Sequence, residues 1–365
     1  MIENAFGRRA PLSLGVEEEL MIVDADTLDQ VAAVDRILAG VEGRDLPGVV
    51  KTELFASVFE LNTQPVETAA EAGAALVDLR RAAAEVADAE GLAVAAAGSH
   101  PFARPEAQPI VKEERYVSFV GYAGISARRQ GVQGLHVHVA MGSADDCWRV
   151  LDGMLPWLPV VLALSVNSPW LAGELTGLAS NRAPLLAELP RAGAPPAFGS
   201  YARWEQWVER LVRLGVTQDY TRIWWDVRPH PRLGTLEVRM PDQPTDVRLS
   251  AAFAALVQAL ARTLLDDSTG AAAVDPARRG DYLQNRWAAA RFGPAAELIH
   301  PDGERVARAS DLGRELLDLV APAARELGSE ELLGRLDPAA CEADLQAQAE
   351  SPREAAADVV ARSVA

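Results

Sequence analysis

Apolar and polar positions alternate in four short stretches of this chain, and in each the polar positions hold ionisable side chains. They are Gly15-Val16-Glu17-Glu18-Glu19-Leu20, Thr52-Glu53 running to Glu60-Leu61-Asn62, Leu135-His136-Val137-His138-Val139, and Leu236-Glu237-Val238-Arg239. Period two is the signature of a β-strand, so Glu17 and Glu19 share one face, as do His136 and His138, and Glu237 and Arg239. A single carboxylate turned inward is costly when unpaired. Several of them on different strands suggest a shared cation.

The remaining pattern predicts strands over 12–23, 51–63 (read as interrupted), 92–97, 222–227 and 234–240. Glu53 and Glu60 are seven apart and would face opposite ways in one unbroken strand. A bulge or turn near Ala56-Ser57 would bring both to one site. Helices are predicted over 68–90, with Gly91 as its stop, and over 148–166, broken at Pro156 and Pro159. Others are expected over 201–214, 245–266, 281–291, 310–327 and 338–363. Residues 102–130 read as mixed, with a helical stretch near 113–120. Residues 167–196, rich in Gly, Pro, Ser and Thr, read as a long ordered loop. Strands mixed irregularly with helices, without strict βαβ alternation, favour an α+β fold with a largely antiparallel sheet.

With 365 residues, 49% of them hydrophobic, the chain can bury one large core or two modest ones. The preferred division is a mixed domain over 1–300 and a helical C-terminal segment over 301–365 packed on it. The net charge of −17 argues against a nucleic-acid partner. The stretch 148–166 carries Arg149, Asp152 and two prolines, so it reads as a core helix and not a membrane span. Residues 1–9 are polar and no signal-like apolar run follows, so a cytoplasmic protein is expected. Cys147 and Cys341 make neither a metal nor a redox spacing. Lys51 and Lys112 are the only lysines; nearly all positive charge is arginine, which weakens any single arginine as a functional signal.

Gly48-Val-Val-Lys51-Thr52 ends like a phosphate loop but lacks the glycine directly before the lysine. No Gly-x-Gly-x-x-Gly opens a helix after a strand, so a Rossmann site has no support. The His136-x-His138 pair could bind zinc, but taken alone such a pair is more often structural. Beside several inward carboxylates, the hard oxygen-rich set suits magnesium or manganese better. The glutamate run at 17–19 has a solvated-edge alternative, against which its apolar flanks argue. Arg182, Arg239, Arg286 and Arg291 are candidates for binding carboxylate or phosphate. Arg239 is the strongest, because Glu237 lies two residues before it; a plain salt bridge between the two is the competing reading.

Six segments together carry a resemblance: GVEEEL (15–20), TELFASVFELNTQP (52–65), GLHVHV (134–139), NSPWLAGELTGLASNR (167–182), TLEVRMPDQPTD (235–246) and QNRWAAARFG (284–293). In order, they resemble the glutamate–cysteine ligase type 2 family, the YbdK-like carboxylate–amine ligases. The resemblance implies a glutamine synthetase-like catalytic domain whose antiparallel sheet holds ATP, metal ions and glutamate. It implies metal-binding acids at Glu17, Glu53, Glu60 and Glu237, His136 as nitrogen ligand, and Glu19 sharing a metal or substrate contact. Arg239 would face the transferred phosphate. Arg182, Arg286 and Arg291 are expected to bind substrate on residue type alone, since the amine-acceptor pocket does not transfer.

The expected activity is an ATP- and Mg²⁺-dependent ligase, Mn²⁺ being an alternative metal. It would join the γ-carboxylate of glutamate, or a similar acid, to an amine such as cysteine through an acyl phosphate. Its partners would be these small molecules, with no nucleic acid and no membrane; a homo-oligomer is left open. The competing classes are a guanidino-kinase-like phosphotransferase, which would leave a lasting phosphorylated product, and a non-catalytic nucleotide- or metal-binding regulator.

Overall fold

A computed structural model describes residues 2–266 and 277–364. Its organising element is β1 (Leu14–Asp24), an 11-residue strand long enough to take different partners along its length. One edge pairs with β3 (Val58–Thr63), which in turn pairs with β2 (Gly48–Thr52). The other edge pairs first with β5 (Leu135–Ala140), then with β4 (Leu92–Ala95). Beyond β5 lie β7 (Thr235–Val238) and β6 (Val227–His230), giving the order β6-β7-β5-β1-β3-β2 with β4 beside the far end of β1. Every pairing in this sheet is antiparallel.

The interruption read within 51–63 is a turn: β2 ends at Thr52, residues 53–57 turn, and β3 returns as the second arm of a hairpin. One expectation changes here. The 222–227 strand is instead a two-residue strand, Trp224–Trp225, separated from β6 by Asp226.

The apolar face of the sheet carries Leu14, Val16, Leu20, Leu61, Leu135, Val137, Val139, Leu236 and Val238, all buried. It packs against α1 (Ala69–Ala89) and α4 (Val247–Asp266). The start of α1 is sealed by a capping box, in which Thr68 accepts from the Glu71 N–H and the Glu71 carboxylate accepts from the Thr68 N–H. Gly91, at φ +68°, follows its end. By length and composition α4 could cross a membrane, yet it is mostly buried between the sheet and the helix Ala309–Glu326. The expected apolar helix over 148–166 is two, α2 (Ala144–Met154) and α3 (Leu158–Ser165), bent by 64° at the proline-bearing junction.

Towards the C-terminus, the single helix expected over 338–363 divides into Glu342–Ala347 and Pro352–Arg362. Ser351 caps the second by accepting from the Glu354 N–H, and Pro352 occupies its first turn. These helices are keyed into the rest of the chain. Glu342 accepts from the N–H groups of Thr245 and Asp246, and the Ser363 carbonyl accepts from Arg80. A short helix over Val34–Val41, not read from the pattern, lies against α1.

Candidate active site

The register settles which side chains meet. Glu17 lies opposite His136 and Asn62, Glu19 opposite Glu60, His138 opposite Glu237, and Lys51 opposite Glu60. Directly opposed residues project to the same side. One face of the sheet therefore carries Glu17, Glu19, Glu60, His136, His138 and Glu237. The turn after Thr52 brings Glu53 there as well.

Glu18 points the other way, into the apolar layer. Arg80 grips its carboxylate with two nitrogens at 2.6 Å each, and Ser250 Oγ (2.5 Å) and Gln243 Nε2 (3.1 Å) complete its shell. The middle glutamate of the run is a structural ion pair. Its neighbours belong to the polar face.

Three overlapping groups have potential ligand atoms within 4.8 Å of one another: Glu17, His138 and Glu237; Glu17, Glu60 and His136; and Glu19, Glu53 and Glu60. Glu17 is the hinge of the arrangement, with Oε2 3.2 Å from His136 Nδ1 and Oε1 3.4 Å from His138 Nε2. His138 Nδ1 bonds to Thr235 Oγ1 at 2.9 Å. Glu237 is held by Arg228, at 2.6 and 3.2 Å, and by Arg239.

Charge is unevenly shared. Burial drives Glu60 well above the ordinary carboxylate value, and repulsion from Glu17, Glu53 and Glu19 adds to it. Burial also raises Glu19 and Glu53. Burial opposes the charge on Glu17 too, but His138 and His136 hold it well below the usual value. Arg228 and Arg239 do the same for Glu237 against its burial. Burial, with Arg239 beside it, lowers His136; His138 is raised despite burial by the Glu17 charge.

These residues fit a divalent cation. His136 Nε2 and His138 Nε2 are buried without a hydrogen-bond partner, a condition usually relieved by a ligand or water. The clustered carboxylates repel one another in the absence of a counter-charge, and hard oxygens dominate the donor set, as magnesium or manganese requires.

The arginines separate. Arg239 reaches the cluster, bonding Glu237 and lying 3.4 Å from His136 Nδ1. Arg182 is buried beside Glu19, but its terminal nitrogens donate to the carbonyls of Met240 (3.2 Å) and Arg239 (3.0 Å). Arg286 pairs with Asp226 at 2.8 and 3.0 Å, and Arg291 bonds the Gly177 carbonyl and lies over the Phe292 ring. The structure does not bring Arg286 or Arg291 into the acid cluster. His138 and Arg228 are the members that sequence reasoning left out of the site. The alternation flagged His138 equally with His136; Arg228 had no signal, because it falls just past the strand expected over 222–227.

The architecture is the glutamine synthetase-like α+β fold, a largely antiparallel sheet flanked by helices. It superposes on a glutamate–cysteine ligase from Francisella tularensis in complex with AMP, with a TM-score of 0.68, 17% identity, and coverage of 98% of this chain and 89% of that one. A bifunctional glutathione synthetase from Pasteurella multocida matches with a TM-score of 0.68 and 15% identity, over 97% of this chain and 52% of that one. The chain belongs to glutamate-cysteine ligase family 2 (GCS2), whose model matches residues 13–351. A Rubrobacter xylanophilus relative named "Putative glutamate--cysteine ligase 2-3" is 40% identical over 92% of this chain and 91% of its own length. A Herpetosiphon aurantiacus relative named "Putative glutamate--cysteine ligase 2" is 34% identical over 90% and 85%.

Proposed function

We propose that this protein joins the γ-carboxylate of glutamate, or a similar acid, to an amine such as cysteine, consuming ATP and passing through an acyl phosphate. The observation that carries this reading is the single polar sheet face on which five acids, two histidines and Arg239 converge.

A carboxylate is a poor electrophile, and its attack on ATP brings two anions together. Glu17, Glu19, Glu53, Glu60, His136, His138 and Glu237 would hold magnesium or manganese. The bound metal would supply charge neutralisation for phosphate oxygens. The chain's own contribution is placement. Glu237 anchors the Arg239 guanidinium at the rim of the cluster, from which it can meet a transferring phosphoryl group. The Glu237 charge holds Arg239 above its ordinary value despite burial, so it is a permanent cation. Arg228, gripping the far side of Glu237, keeps that carboxylate oriented.

The testing experiment combines the protein, ATP, Mg²⁺, glutamate and hydroxylamine. An accessible acyl phosphate is captured as a hydroxamate, and a panel of amines then identifies the acceptor by mass spectrometry of the amide. ATP consumption that requires glutamate yet yields no hydroxamate across a range of hydroxylamine would remove the acyl phosphate. A persistent phosphorylated product would replace the ligase by a phosphotransferase.

A further inference from the structure

Arg239 stands one residue beyond β7, where ladder pairing has ended. Its backbone is nevertheless fixed on both sides. The Arg239 N–H donates to the Asp226 carbonyl at 2.8 Å. The Arg239 carbonyl accepts from Arg182 Nη2 at 3.0 Å, and Arg182 Nη1 reaches the next carbonyl, Met240, at 3.2 Å. Arg182 is only 2% exposed.

Both flanking groups are themselves held. A Cβ on Gly134 would sit 2.1 Å from Arg182 Nη2 and 2.4 Å from its Cζ, so the guanidinium lies directly on the glycine backbone. The N–H of that glycine donates to Glu19 Oε2 at 2.7 Å. On the opposite side, Arg286 and the Tyr282 hydroxyl fix the Asp226 carboxylate, and Arg286 also donates to the carbonyl of Ala183, the residue after Arg182.

We propose that Arg182, seated on Gly134, is a positioning residue that clamps the Arg239 backbone, with Arg286 and Asp226 closing the clamp from the other side. This rests on the reading of Arg239 as the phosphate-facing group. The physical need is plain. Arginine is a long side chain, and misplacing its root by an ångström can cost about 10²-fold in rate. Arg182 spans two successive carbonyls with two nitrogens of one planar group. A lysine has its donors on one nitrogen and cannot reproduce that planar two-nitrogen contact. Gly134 is there because any side chain would lift the guanidinium away, and it couples the clamp to Glu19 through its own N–H.

The test compares Arg182→Lys, Gly134→Ala and the double variant with wild type. Each single variant should lower kcat about 10- to 100-fold while changing KM for the acid by no more than about twofold. The double variant should be no worse than the poorer single one, since both break the same clamp. Hydrogen exchange of the Arg239 amide should quicken in each, and that readout does not depend on turnover. It therefore decides the clamp even where wild type shows no amide synthesis and the proposed reaction fails. A raised KM with kcat retained in Arg182→Lys would make Arg182 a substrate-binding group and overturn the proposal. So would multiplicative losses in the double variant or unchanged Arg239 exchange. If Gly134→Ala does not fold, Arg182→Lys with the exchange measurement decides.

Discussion

Glu19 and Glu60 face each other directly across the β1–β3 ladder, two carboxylates in a position where unlike charges are the stable choice. Glu53 joins them from the turn, close enough for the three to share one ligand. The fold holds this repulsion in place through the apolar layer behind the strands and concentrates it where a cation can use it.

Replacing Glu60 by Gln should separate stability from function. The variant keeps the shape but removes a charge opposed by Glu17, Glu19 and Glu53. The metal-free protein should melt at a temperature equal to or above wild type, while turnover at saturating Mg²⁺ falls at least ~10²-fold. Near-normal turnover would place Glu60 outside the metal shell.

Stability without metal should fall as pH rises above the ordinary carboxylate range. Glu60, Glu19 and Glu53 are all raised in the folded state, first of all by burial. Their folded forms hold protons that the unfolded chain releases earlier. The stability they contribute is complete below the unfolded value and is lost as pH climbs through the folded ones. Added Mg²⁺ should recover it and release protons on binding. Melting curves with and without Mg²⁺ should therefore diverge with pH in wild type, and less so in Glu60→Gln. Curves that stay parallel would show that no metal binds at these acids.

Manganese should support activity in place of magnesium, whereas zinc should inhibit or fail, because an oxygen-rich shell with open positions suits octahedral ions. The resemblance pointed to His136 alone as nitrogen ligand, but His138 Nε2 is likewise buried without a hydrogen bond and lies 3.4 Å from Glu17. His136→Ala and His138→Ala should each raise the metal concentration for half-maximal activity by about tenfold. A titration in which His138→Ala matches wild type would return that residue to a purely structural role.

Arg80→Met should behave in the opposite manner to Glu60→Gln. It leaves the buried Glu18 without its ion-pair partner and takes a donor from the carbonyls of Pro244, Thr245 and Ser363, of which Pro244 keeps Gln243 Nε2. The expected cost is about 3–5 kcal/mol of stability by chemical denaturation. The folded fraction should keep turnover within a few-fold of wild type. Loss of turnover without loss of stability would put Glu18 in the chemistry.

The alternation of apolar and ionisable residues was enough to place Glu17 with Glu19, His136 with His138 and Glu237 with Arg239, because side-chain direction along a strand is set by local backbone geometry. It also marked the ends of α1 and the break between α2 and α3, where a capping box, a glycine and prolines act within a few residues. Tertiary structure decided the rest. Of the bulge or turn that the spacing of Glu53 and Glu60 called for, the structure has a turn over 53–57, which puts Glu53 on the face of Glu60. Glu18 became a structural pair because Arg80, 62 residues away, lies on the helix behind its strand. Arg239 was marked by Glu237 two residues before it, but nothing in the sequence told that carbonyls would claim Arg182 and Asp226 would claim Arg286. Those partners are brought together only by the order of strands and the packing of helices, and no local period encodes that.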